Sequence, residues 1–117
     1  MKNNELYDKL VNLRPFQKIY IKHFKHNPEK HPTEYLYEVL DIGKNTETDE
    51  IMVIYKSLKY PSYIKNEIWV RPIDIFCSTI DQDKYPDEYE KYKYRFNIVS
   101  FDYIWSQRNK ICKTYNE

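Results

Sequence analysis

The chain has 117 residues, 41% of them hydrophobic, with 19 basic against 18 acidic side chains and a mean hydropathy of −0.87. That length suits one domain spanning residues 1–117, because each half of a two-domain chain would sit near the size at which a core barely offsets chain entropy. The net charge of +1 excludes a global electrostatic pull toward nucleic acid or an anionic membrane, so any such binding needs a local patch.

Much of the apolar content is amphipathic: 13 tyrosines stand beside five phenylalanines and two tryptophans. Tyrosine buries its ring while its hydroxyl stays wet or bonded, which suits the rim of a small β structure. Apolar runs fall short of the ~20 residues that cross a bilayer. Met1-Lys2-Asn3-Asn4-Glu5 also lacks a signal-peptide apolar stretch. A soluble, cytoplasmic protein is the expectation. Cys77 and Cys112 have no CxxC spacing, so they read as reduced, partly buried thiols rather than as a zinc or redox motif.

In chain order, Asn4 to Leu13 sets Leu6, Leu10 and Leu13 on one helical stripe, with Asn3 or Asn4 as cap and Pro15 as terminator. This helix needs the sheet to bury its stripe. From Lys18 to Phe24 the period changes to two, the mark of a strand. Asn27-Pro28-Glu29-Lys30-His31-Pro32 breaks it as a loop. Tyr35 to Ile42 and Ile51 to Leu58 are strands by β-branched and aromatic content, paired through the polar turn Thr46-Glu47-Thr48-Asp49. Asp49 tolerates a left-handed turn conformation, and Gly43, the single glycine, is expected to mark a bulge or bend.

Tyr60-Pro61-Ser62-Tyr63 reads as a loop, Glu67 to Arg71 as a strand closed by Pro72, and Pro72 to Phe76 as one helical turn. After an acidic loop from Asp81 to Glu88, Glu90 to Val99 is expected to be a strand. The tail from Phe101 to Tyr115 has a helical stripe of Phe101, Ile104, Trp105, Arg108, Ile111, Cys112 and Tyr115, with Ser100 as cap. All five strands are expected in one antiparallel barrel-like sheet over residues 16–99, flanked by helices at 4–13 and 101–115.

Five phrases in order carry a family resemblance: Tyr20-Ile21-Lys22-His23-Phe24, Tyr37-Glu38-Val39-Leu40-Asp41-Ile42, Thr46-Glu47-Thr48-Asp49-Glu50, Val53-Ile54-Tyr55-Lys56-Ser57-Leu58 and Trp69-Val70-Arg71-Pro72-Ile73-Asp74-Ile75-Phe76. Over residues 20–76 the chain resembles DUF1653, a small bacterial and phage domain without an assigned activity. The resemblance implies a mainly β (α+β) fold built on an SH3-like β-barrel. The two helices and the Asn27 to Glu34 insertion lie outside it.

The chemistry on offer is sparse. On an alternating strand Glu38 would share a face with Leu36, Leu40 and Ile42, where a carboxylate needs a partner, and Arg71 is the expected one. The functional alternative has Arg71 in a cleft beside Trp69, Tyr55 and Tyr37, open to a phosphate or carboxylate. His23, His26 and His31 match no metal-ligand spacing, and no cofactor is implied. One glycine rules out the common glycine-rich phosphate and nucleophile motifs.

A binding or adaptor module is therefore the leading expectation. SH3-like barrels generally act through an aromatic-lined groove, so a peptide or nucleotide-like ligand would sit near Tyr37, Glu38, Tyr55, Trp69 and Arg71. One alternative is single-stranded nucleic-acid binding through Lys91, Lys93 and Arg95, although a regular strand would turn the interleaved rings Tyr92, Tyr94 and Phe96 to the other face. Another is a small enzyme on a nucleotide or modified base, with Glu38 as acid or base and Arg71 as anion clamp.

Overall fold

Asn3 starts the first element: its side-chain oxygen accepts the Leu6 N–H at 3.2 Å, capping α1 (Asn4–Val11). The computed structural model describes residues 2–60 and 67–116, with 112–116 as backbone alone. The expected loop at Pro61-Ser62-Tyr63 and the places of the Cys112 and Tyr115 side chains on the tail stripe lie outside the described residues.

The period-two segments form β1 (Ile19–His23), β2 (Leu36–Lys44), β3 (Ile51–Ser57) and β4 (Ile68–Pro72). Next come α2 (Ile73–Phe76), α3 (Pro86–Tyr92), β5 (Phe96–Val99) and α4 (Phe101–Asn116). All pairings are antiparallel, in the order β4-β3-β2-β1-β5. The turn between β2 and β3 puts Asp49 at φ 61°, the left-handed conformation expected of it. The bulge, however, lies between Val39 and Asp41. Gly43 has no positive φ, and a Cβ there would meet Ile54 Cδ1 at an ordinary 3.6 Å. The extra residue is Leu40, which leaves Val39 and Ile42 on the same face and turns the Glu38 side away from Ile42.

One face carries Ile19, Ile21, Val39, Val53, Tyr55 and Phe96, and packs on Leu6 and Leu10 of α1 and Phe76 of α2. This is the core. Phe76 and Phe96 stack at 4.4 Å between centroids, and Tyr55 meets both edge-on. The opposite face carries Tyr20, Leu36, Glu38 and Lys56. Here α4, capped by Ser100 Oγ on the Tyr103 N–H, lays Phe101 against Tyr20 at 5.7 Å.

The sheet is not closed into a barrel. β4 and β5 are its two edges and do not pair, because Pro72 ends β4 and the chain turns straight into α2. The fold is a five-stranded antiparallel sheet with helices, α+β rather than a closed SH3-like barrel. A second correction concerns Glu90 to Val99: Tyr85-Pro86-Asp87-Glu88 opens α3, with Pro at its start and two acids in its first turn, so only Phe96–Val99 is strand. Lys93, at φ 65°, ends that helix.

Trp105 was expected on the docked stripe of α4, yet it is 52% exposed, while Ile104 and Gln107 are buried. Ile104→Ala should therefore destabilise by about 2–4 kcal/mol, whereas Trp105→Ala should cost under about 1 kcal/mol. Chemical denaturation of the two variants checks the docking of α4, and equal costs would contradict it.

Candidate functional site

Register decides which of the expected site residues can meet. Val39 pairs with Tyr55, Tyr55 with Trp69, and Val53 with Arg71, so Tyr37, Tyr55, Trp69 and Arg71 point to the core-side face. Glu38 pairs with Lys56, and Lys56 with Ile68, on the other side. Glu38 and Arg71 are thus on opposite faces, and the expected ion pair does not form. Glu38, only 6% exposed, is held by Lys18 Nζ at 3.2 Å and Lys56 Nζ at 3.5 Å instead. Two flexible lysine stems reach over the apolar surface to satisfy a carboxylate that a strand would otherwise strand beside Leu36.

On the core-side face the same register gathers a cluster that the sequence only half disclosed. Arg71 and Arg95 are both partly exposed, and each charge is felt by Tyr55 and His23. Burial, with Arg71 beside it, lowers the Arg95 pKa. Neither guanidinium has an acid within salt-bridge distance among the described residues. Arg95 Nε donates to Ser78 Oγ at 3.4 Å, and its backbone N–H donates to the Ser78 carbonyl.

His23 lies between the rings of Phe24, Tyr35 and Phe96. Burial above all, then the charges of Arg95, Lys25 and Arg71, brings its pKa down to about 3. Its Nδ1 accepts the Lys25 N–H at 3.1 Å, so the neutral ring carries its proton on Nε2. Burial pushes Tyr37 up to about 12 and raises Tyr55 as well. Their hydroxyls have no hydrogen-bond partner among the described residues, yet no buried side-chain oxygen is left unsatisfied, so both keep contact with water. The rings form the core and the hydroxyls line its margin.

His26 and His31 are spent on structure. His26 Nδ1–H donates to the Glu34 carbonyl at 2.7 Å, which leaves Nε2 to accept the Tyr103 hydroxyl at 2.6 Å. His31 Nδ1 accepts the N–H groups of Thr33 and Glu34. Among the described residues no group of three His, Cys, Asp or Glu could hold a metal ion.

Lys91, Lys93 and Arg95 do not lie on one regular strand. Lys91 closes the last turn of α3, Lys93 lies over the Tyr94 ring, and Arg95 turns to Ser78. A cleft of about 710 Å³ beside α3 does include Lys22, Lys25 and Lys91, but Glu29, Asp87 and Glu88 line it too. The opposing charges leave no single-sign field of the kind that a nucleic-acid backbone follows.

The profile of DUF1653, described as a protein of unknown function, matches residues 18–98, more than half of the chain. No curated protein and no solved structure matches. Among the described residues no helix is long and apolar enough to cross a membrane.

Two measurements follow from this geometry. A double-mutant cycle on Glu38→Gln and Arg71→Met should return a coupling within about 0.5 kcal/mol, since the side chains lie on opposite faces and share no partner. For His23 the folded state binds fewer protons than the unfolded chain between pH 6.5 and about 3, so stability is at its full value above 6.5 and declines as pH drops through that window. Urea midpoints measured across it should fall with acidification, and His23→Gln should flatten the part of the slope due to this group.

Proposed function

The chain belongs to the DUF1653 family, whose description assigns no activity, and from the geometry of its sheet we propose that it is a small binding module that captures an anionic group through Arg71 and Arg95. The observation that carries this reading is the pair of neighbouring guanidiniums without an acid partner among the described residues. Arginine's planar fork matches phosphate or carboxylate oxygens two at a time, and bonds of that kind are stronger than neutral ones. Nε2–H of a neutral His23 and the hydroxyls of Tyr37 and Tyr55 add donors that carry no charge of their own.

The ligand class is a phosphate or carboxylate borne on a peptide or nucleotide-like molecule. Trp69, paired across the strands with Tyr55 and 46% exposed, offers an apolar surface next to the charges. An SH3-like module binds through an aromatic-lined groove, and in this reading the corresponding surface is the β3–β4 side of the sheet. Glu38 has no part in it. An acid–base role for Glu38 with Arg71 as clamp would require groups that the sheet separates.

Titrating the protein with inorganic phosphate and a nucleoside monophosphate, followed by amide NMR shifts, should perturb β4 and the Tyr94 to Phe96 segment. Arg71→Met and Arg95→Met should each weaken the affinity by about tenfold or more, as expected for loss of a charged hydrogen-bond donor. Unchanged affinity in both variants would refute the site.

A further inference from the structure

β4 is an edge strand that lacks the usual protection. Ile68, Trp69 and Val70 are consecutive, and they are 53%, 46% and 59% exposed. Edges of soluble proteins are normally blunted by lysine, a bulge or a covering element. Among the described residues the one guard is Pro72 at the strand's end.

The direction of the unpaired backbone groups follows from the β3–β4 register. Ser57 N–H donates to the Glu67 carbonyl at 3.1 Å, so Glu67, Trp69 and Arg71 bond inward to β3. The N–H and C=O groups of Ile68 and Val70 consequently point outward from the sheet. Pro72 is next in the same phase, and its missing N–H falls on the open side.

We propose that β4 pairs antiparallel with β4 of a second copy of this chain, about a two-fold axis at Trp69. In that arrangement Ile68 stands opposite Val70 of the second copy, and Val70 opposite Ile68. The four outward groups of each strand then meet their complements. The same centre sets Glu67 opposite Arg71 at both ends, an opposite-charge pair made twice. A shift by one residue in either direction brings inward-bonded groups to the edge and loses both ion pairs. Self-complementarity of this kind is what a two-fold interface demands. Two five-stranded sheets would become one sheet of twice the width, with the exposed apolar residues of β4 packed across the seam.

The surface covered is small, which places the dimer in the weak, concentration-dependent class. The inference stands apart from the anion site, although both use Arg71. A bound anion and Glu67 of the second copy compete for that guanidinium, so phosphate should favour the monomer.

Sedimentation velocity on the full chain, from low to high micromolar concentration, should show a monomer–dimer equilibrium. Val70→Pro removes an outward N–H without touching the bonds to β3, and should abolish the dimer while the circular dichroism stays that of the folded protein. Glu67→Arg places like charges at both ends and should also give monomer; adding Arg71→Glu to it restores the pairs and should restore the dimer. The charge-swap series decides the matter if Val70→Pro fails to fold. A chain that stays monomeric throughout the range, a dimer indifferent to Glu67→Arg, or a double variant that remains monomeric would overturn the proposal.

Discussion

The stack of Phe76 on Phe96 holds the rest of the structure in place. Phe76 closes the helical turn that follows one sheet edge and Phe96 begins the other edge, so their stacking at 4.4 Å between centroids does across the core what strand pairing would do in a closed barrel. Tyr55 meets both rings edge-on, and Tyr37 meets Tyr55 and Phe96. Such ring contacts add roughly 0.5–1.5 kcal/mol each beyond the area buried. They also explain why an open sheet needs α1: Leu6 and Leu10, both without exposed surface, fill the space that a barrel's closing strands would occupy.

The candidate site inherits its electrostatics from this aromatic wall. His23 is neutral because ring neighbours take it out of water before any charge acts, and the two guanidiniums then deepen the effect. A dry backing strengthens whatever the arginines hold, since less water competes for their donors. The same rings hold Tyr37 and Tyr55 by their apolar bodies and leave the hydroxyls at the margin. Folding and site-building are one packing event, and a cavity at Phe76 or Phe96 would disturb both.

Much of this was legible in the sequence. Period-two patterning located β1 to β4 within a residue or two, and Asn3 and Ser100 announced their helices as caps. Tyr37, Tyr55, Trp69 and Arg71 share a face, whereas the expected pairing of Arg71 with Glu38 needed a register that the sheet does not have. Other features were not legible there. The bulge sits at Leu40 and not at the glycine, because an extra residue can take an ordinary backbone conformation and leave no compositional mark. α3 was hidden by the alternating Lys91 to Phe96 run, although Tyr85-Pro86-Asp87-Glu88 has the proline and acids of a helix start. The partners of Glu38 were missed because Lys56 sits opposite it only once the β2–β3 register is known, and Lys18 reaches it from twenty positions away. Arg95 reads in the sequence only as a nucleic-acid candidate beside Lys91 and Lys93, because the neighbours that draw it to Arg71, namely His23 and Tyr55, are remote from it in the chain.

Trp69 shows where the demands of folding end. A tryptophan placed for stability would be buried like Phe76, since the gain scales with the apolar area withdrawn from water. Here the chain leaves nearly half of its largest side chain exposed on an edge strand, between Ile68 and Val70, which are more exposed still. Nothing in the core contacts calls for three apolar residues in a row there, and in an isolated molecule they carry a cost in solubility. Glu67 and Arg71 bracket them with opposite charges, at the spacing that makes the strand its own complement. Three features of β4, its exposure, its charges and its open hydrogen bonds, thus converge on association as the role of this edge.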